Sequence, residues 1–431
     1  MASTATTHMV VGSTSRLDSL RTTKFPHNGA VFAQQKQQQK RKRILSLKNI
    51  CIPPISALPF DLSPPPIDHD LLDTVKSAGA EISEDGIVET FGNDDEALDA
   101  IHNGVALSNV LSGLDCGPFT FWEDKSGDDR VQFLHNQTTA DFEILREGQG
   151  CDTVFVTPTA RTIDIAYAWI MKNAIILVVS PRTSGSITEM LNKYIFFSDN
   201  VEIQDISKQT CLFTLVGPKS NLVMENLNLG DLVGQAYGTH QHYSVNGMPI
   251  TVGVGNFISA EGYSLLMSPA VAGSVWETLL SHGAIPMGSN AWEKLRIIQG
   301  RPAPGKELTN EFNVLEAGLW NSISLNKGCY KGQETVARLI TYDGVKQRLL
   351  GIRLSAPAEP GSPIMVEGKK VGKLTSYTPG RNESDHFGLG YIKRQAAVVG
   401  GTVTVGDNII GTVIEVPFLA QQHLLLTSSS S

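Results

Sequence analysis

Cysteine is scarce and unpaired in this chain. Five are spread over 431 residues, at positions 51, 116, 151, 211 and 329, and none forms a Cys-x-x-Cys pair. That spacing excludes zinc and iron–sulfur ligand patterns and a disulfide framework, and leaves reduced thiols of the kind found in an organelle matrix or stroma. No Gly-x-Gly-x-x-Gly opens a helix, no phosphate-binding loop is present and no Gly-x-Ser-x-Gly elbow occurs, so NAD, ATP and serine-hydrolase chemistry have no foothold. Long apolar runs are also missing. The longest, 163–180, is broken by Asp164, Lys172 and Asn173, whereas a spanning helix needs about twenty mostly apolar residues; no membrane association is expected. What remains is 41% hydrophobic and 18% charged, enough for the cores of two or three soluble domains.

Acid is nearly absent from one stretch. Residues 1–50 hold nine Lys or Arg, the single acid Asp18 and eleven Ser or Thr, and no charged residue precedes Arg16. That is transit-peptide composition. The late first base, the glutamines within 34–39 and the pair Pro53-Pro54 disfavour an early amphipathic basic helix, so the chloroplast stroma is expected, with the mitochondrial matrix as the alternative. Residues 1–55 are therefore read as a leader, followed by a linker with six prolines between Pro53 and Pro66. Beyond residue 50 the chain has 26 bases and 42 acids, a net charge of −16. Nucleic acid is not expected as a partner, since phosphate binding needs a basic surface.

Periodicity predicts an α+β body over 70–342. Apolar spacing at Ala97, Leu98, Ile101, Val105 and Val110 predicts a helix over 94–111, and 113–120 reads as strand or turn. Val131–Thr138 reads as the start of a helix. Thr162–Met171 and Ala174–Ser180 form a hairpin turning at Lys172-Asn173, and Ser186–Phe196 is a short amphipathic helix. A strand over Thr210–Val216 and a helix over Val271–His282, closed by Gly283, follow. After Asp343-Gly344 six short strand-like runs appear: Gln347–Leu354, Pro363–Val366, Lys370–Tyr377, Phe387–Ile392, Thr402–Val405 and Asn408–Val416. They predict a small antiparallel barrel over 345–418, with 419–431 as a low-complexity tail.

The densest chemistry lies in Lys327-Gly328-Cys329-Tyr330-Lys331-Gly332-Gln333-Glu334. A thiol between two lysines is favoured as thiolate, and glycines allow close approach of the backbone to a ligand. A buried cysteine beside a tight turn is the competing reading. Phe133-Leu134-His135-Asn136-Gln137-Thr138-Thr139-Ala140-Asp141 resembles the F-L-x-x-x-x-T-x-D signature of the folate-binding aminomethyltransferase superfamily. Leu215-Val216-Gly217-Pro218, Glu261-Gly262-Tyr263 and Leu295-Arg296-Ile297 follow in that family's order, and the octapeptide resembles the hallmark of its YgfZ branch.

The resemblance covers about residues 95–418 and implies a multidomain ring around a folate cavity, closed by a C-terminal antiparallel β-barrel. It implies tetrahydrofolate, or a one-carbon derivative, as cofactor. Asp141 matches the family's Asp and is the candidate to stabilise positive charge developing at the reacting nitrogens; a helix-cap or solvated role competes. Arg296 matches the Arg of the L-R motif, for the folate tail or the cavity wall, against a plain ion pair with Glu293. Glu261, Tyr263, Lys327 and Tyr330 complete the expected cofactor contacts.

Two positions depart from the glycine-cleavage pattern: Ser264 follows Tyr263 where Glu is usual, and Ala140 stands where Asn is usual. Cys329 separates the branches, since aminomethyl transfer has no use for a thiol. One thiolate cannot hold a private cluster, so no resident metal is expected. His240 and His242 share a strand face but lack a third ligand. Three functions follow as expectations: a tetrahydrofolate-dependent accessory protein acting on iron–sulfur clients or assembly proteins, a one-carbon transferase using tetrahydrofolate, or a non-catalytic folate-binding module.

Overall fold

The computed structural model describes residues 69–84, 86–109, 117–123, 129–259, 261–382 and 384–420. The leader, the proline-rich linker and the tail from 421 lie outside the described residues.

Two large sheets, one antiparallel and one mixed, and a closed barrel organise the body. The first sheet orders its strands as Gly150–Val156, Thr162–Ile170, Ala174–Val179, Gly117–Glu123 and Val201–Asp205. The predicted hairpin is its centre: Tyr167 pairs with Val178 and Ile170 with Ile175 across the Lys172-Asn173 turn. The two hairpin strands read as nearly continuous apolar runs because both of their faces are covered. One face packs Ala166, Ala168, Ile175 and Leu177 on Phe133, Leu134, Phe142 and Leu191, from the helices Asp129–Gln137 and Pro181–Asn192 and the loop between. The other packs Tyr167, Trp169 and Ile176 on Leu212, Leu266, Trp292 and Leu295. The Pro181–Asn192 helix starts five residues before the predicted Ser186, at a proline, which suits the first helical turn.

The second sheet runs His240–Val245, Met248–Val254, Tyr263–Met267, Cys211–Val216, Ala106–Asn109 and Ile285–Met287, antiparallel except for its last pair. The helix predicted over 94–111 is shorter than expected. It spans Asp94–Asn103, with Asp94, Asp95 and Glu96 in the first turn where the helix dipole favours acid. Gly104 ends it at φ −142°, ψ −131°. Val105 then enters the core, and Ala106–Asn109 pairs with the strand Cys211–Val216. The long-range ladder overrides the local helical spacing. The helix Pro269–Ser281 opens with Ser268 accepting from the Ala270 N–H and is followed by Gly283 at φ +90°, as the capping pattern predicts.

The barrel closes in the order Gln347–Leu354, His386–Lys393, Lys369–Pro379, Pro363–Val366, Thr402–Val405 and Ile409–Ile414. All six are antiparallel neighbours, and Ile352, Ile364, Leu374, Val405 and Val413 fill the interior. The fold is thus mixed α+β with the expected C-terminal barrel. No helix among the described residues is long and apolar enough to cross a membrane.

Candidate active site

The octapeptide sits where the loop after residue 319 meets the end of the helix Asp129–Gln137. Lys327 is buried and its ammonium donates to the main-chain carbonyls of His135, Thr138 and Ala140, the last two at 2.8 and 2.6 Å. These carbonyls lack helical partners because the chain leaves the helix here. The same ammonium lies 4.9 Å from the centroid of the buried Tyr330 ring. Burial pulls the Lys327 pKa down to about 8, against the raising influence of Asp141, and burial pushes the Tyr330 phenol up to about 12. Thr139 ties the segment to both neighbours: its Oγ1 donates to Ser322 O at 2.5 Å and accepts from Val154 N–H at 3.0 Å. Lys331 donates its main-chain N–H to Asn136 O and lays its ammonium 4.7 Å from the Tyr194 ring centroid.

Gly332 turns this loop into the helix Gln333–Thr341. Its φ is +86°, and a Cβ there would fall 2.7 Å from Thr157 O, so glycine is required on both counts. Between these anchors Cys329 is exposed, whereas Cys151 and Cys211 are partly buried. Cys151, on the neighbouring strand, has its thiol pushed up to about 12 by burial and by Asp152. Neither lysine is free to accompany Cys329, since both ammonium groups are committed to other partners.

Asp141 follows directly. Its Oδ1 accepts from Glu143 N–H at 3.1 Å and stands 3.3 Å from Nδ1 of the buried His135. Burial lowers the His135 pKa, with Lys327 adding to the effect. Asp141, Lys327, Cys329 and Tyr330 therefore belong to one locality. The other three named residues stand elsewhere. Tyr263 is buried in the core of the second sheet, donating to Asn221 Oδ1 at 2.7 Å. Glu261 is exposed beside Gly262, whose φ is +108°. Arg296 is fully engaged: it bonds Glu293 through both carboxylate oxygens, Glu307 at 2.9 Å, Arg301 O at 2.6 Å and Ser376 Oγ at 3.0 Å. The Glu293 pair foreseen as the simpler role is thus one part of a seam between the helix Ser289–Gln299 and the barrel.

A second polar centre has no counterpart in the sequence reading. Asp152 pairs across the first sheet with Tyr167, on the face turned toward the second sheet. Tyr237 donates to Asp152 Oδ1 at 2.8 Å. Tyr167 has Trp169, Tyr237 and Phe257 around it at centroid distances of 5.5, 5.3 and 5.5 Å. Asp152 keeps some accessible surface although protein surrounds it. Burial raises its pKa, opposed by Arg301 and the Tyr237 hydroxyl. The sheets come together here through glycine: a Cβ on Gly238 would lie 2.1 Å from Gly150 O. The sequence signal was an acid alternating with Val154 on a buried strand. Its meaning depended on Tyr237, 85 residues away. The histidine pair lies nearby, His240 bonding Gly238 O and His242 bonding Thr251 Oγ1, with ring centroids 6.1 Å apart.

Residues 123–327 match the GCVT N-terminal domain, and residues 347–419 match the glycine cleavage T-protein C-terminal barrel domain. The chain belongs to the glycine cleavage T-protein family. Over 376 residues it is 70% identical to a chloroplastic protein of Arabidopsis thaliana that carries the provisional name of transferase, covering 87% of this chain and 85% of the relative. It is 25% identical to an aminomethyltransferase of Geobacillus kaustophilus, over 67% of this chain and 82% of that protein. The crystal structure of glycine cleavage system aminomethyltransferase T from Bartonella henselae superposes with a TM-score of 0.70 at 17% identity, over 81% of this chain and 97% of that one, a likeness of fold.

Proposed function

We propose that this protein is a tetrahydrofolate-dependent accessory factor in assembly or repair of iron–sulfur proteins in the chloroplast stroma, of the YgfZ type within its family. The exposure of Cys329 on a loop anchored on both sides carries the reading. A thiol presented to solvent suits a mixed disulfide or a transient contact with iron or sulfur on a client protein, and one thiolate does not suit storage of a cluster. The leader composition and the chloroplastic relative support the location.

The chemistry around Asp152, a carboxylate among aromatic rings, suits a pterin. A carboxylate matches the amino-amide edge of that ring with paired hydrogen bonds, and aromatic faces flank it. Asp152 and Tyr237 would hold the ring, which when bound carries the one-carbon or reducing chemistry of a folate. Asp141 and Cys329 are the proposed reacting groups on the loop side. Replacing Cys329 with Ala should lower the activity of iron–sulfur enzymes in the organelle while leaving reduced-folate affinity intact; unchanged client activity would sink the reading. Titration with reduced folates should show Asp152→Asn weakened at least tenfold relative to wild type, with Asp141→Asn as the comparison.

The second reading is a one-carbon transferase using tetrahydrofolate. The shielded carboxylate at Asp152 favours it, because a carboxylate held among protein groups stabilises developing positive charge. Under it Cys329 is dispensable. Absence of turnover with any methyl or aminomethyl donor would count against it.

A further inference from the structure

Three ligand-bearing side chains meet apart from Asp152 and its aromatic rings. His135 lies in the last turn of the helix Asp129–Gln137, and Asp141 and Glu143 follow on the loop. One ligand atom from each lies within 4.8 Å of the others, the one such trio among the described residues. His135 is 1% exposed, and its Nδ1 is buried with no hydrogen-bond partner. Asp141 Oδ1 is 3.3 Å away, at ion-pair distance within the same trio. A buried ring nitrogen without a hydrogen bond costs about 1–3 kcal/mol, so a nitrogen in this position gains from a further partner. The ring is also held in place: a Cβ on Gly328 would lie 3.3 Å from His135 Nε2, so the octapeptide packs against its far side. Asp141 is 20% exposed and Glu143 is exposed, which leaves an entry path from solvent.

We propose that His135, Asp141 and Glu143 form a binding site for a divalent transition cation. Mixed imidazole and carboxylate donors suit zinc, cobalt, manganese or ferrous iron better than magnesium or calcium. Ligand bonds of about 2.0–2.2 Å place donor atoms on a shared cation closer together than the outer limit of this trio, and the exposed Glu143 closes the difference by rotating. Lys327 opposes a cation, but its ammonium is bound to three carbonyls, and two carboxylates against one ammonium leave the locality net negative. The spacing 135-141-143 follows none of the cysteine and histidine patterns on which the expectation of no resident metal rests.

Cobalt titrated into the purified full chain, without folate, should bind with one equivalent and give a visible ligand-field spectrum. Glu143→Gln should weaken it at least tenfold, and zinc should displace it. Glu143 is exposed, so this variant keeps the test meaningful if a His135 variant does not fold. Reduced-folate affinity of Glu143→Gln should match wild type, which separates this outcome from failure of the folate reading. Binding only at millimolar cobalt, equal cobalt affinity in wild type and Glu143→Gln, or a spectrum lost in Cys329→Ala but kept in Glu143→Gln would each overturn the proposal.

Discussion

Lys327 Nζ lies 2.6 Å from the carbonyl oxygen of Ala140, so the residue that opens the octapeptide grips the residue before Asp141. The ammonium does positional work, gathering main-chain carbonyls that no helix satisfies. Lys327→Met keeps the stem but strands three acceptors, two of them at 2.8 and 2.6 Å in the native loop. The expected cost is about 2–4 kcal/mol, read as a shift in the urea midpoint. A change under 0.5 kcal/mol would remove the clamp from the account.

Arg296 and the fully buried Glu307 form an ion pair at 2.9 Å, with Thr375 and Ser376 also bonding Glu307. Arg296→Met leaves that carboxylate buried without its partner, which costs about 3–5 kcal/mol. Arg296→Lys should rescue little, because a lysine cannot reproduce bonds to two carboxylates, a carbonyl and a hydroxyl. Chemical unfolding of the two variants checks both statements. Lysine restoring full stability would contradict them.

Gly332→Ala forces a side chain onto a left-handed residue whose Cβ position is 2.7 Å from Thr157 O. The conformational part alone costs about 1–2 kcal/mol. Because this residue sets the path from Cys329 into the next helix, the reaction rate of Cys329 with a maleimide should change along with the melting temperature. Unaltered thiol kinetics would show that the loop conformation is set elsewhere.

His240 is buried, and its pKa is brought down to about 4 by burial. A base held below its unfolded value of about 6.5 contributes stability that is fully present above pH 6.5 and is lost as pH falls through about 4. The size is on the order of 3 kcal/mol. Melting temperatures at pH 7 and pH 4 should therefore diverge more in wild type than in His240→Gln. Parallel pH profiles would rule the residue out as a source of acid lability.

The barrel was legible because its strands are short, alternate cleanly and are separated by turn residues, all of which are local signals. Three of its six strands begin and end where the pattern predicts: Gln347–Leu354, Pro363–Val366 and Thr402–Val405. The region after Gly104 was misread because its fate depends on a ladder with residues more than a hundred positions away. The octapeptide could be found in the chain, but the uses of its lysines could not, since their partners lie on the helix Asp129–Gln137 and beside Tyr194. Asp152 was invisible for a similar reason: an isolated acid on a strand acquires meaning only from Tyr237 and the aromatic rings brought to it by the second sheet.

The Arg296–Glu307 seam has a consequence for access. Lifting the barrel from the body would withdraw the Ser376 and Thr375 hydroxyls from Arg296 and Glu307 and the Tyr391 hydroxyl from the Glu307 carbonyl, leaving a buried ion pair short of hydrogen bonds before water could reach it, so the barrel behaves as a fixed wall.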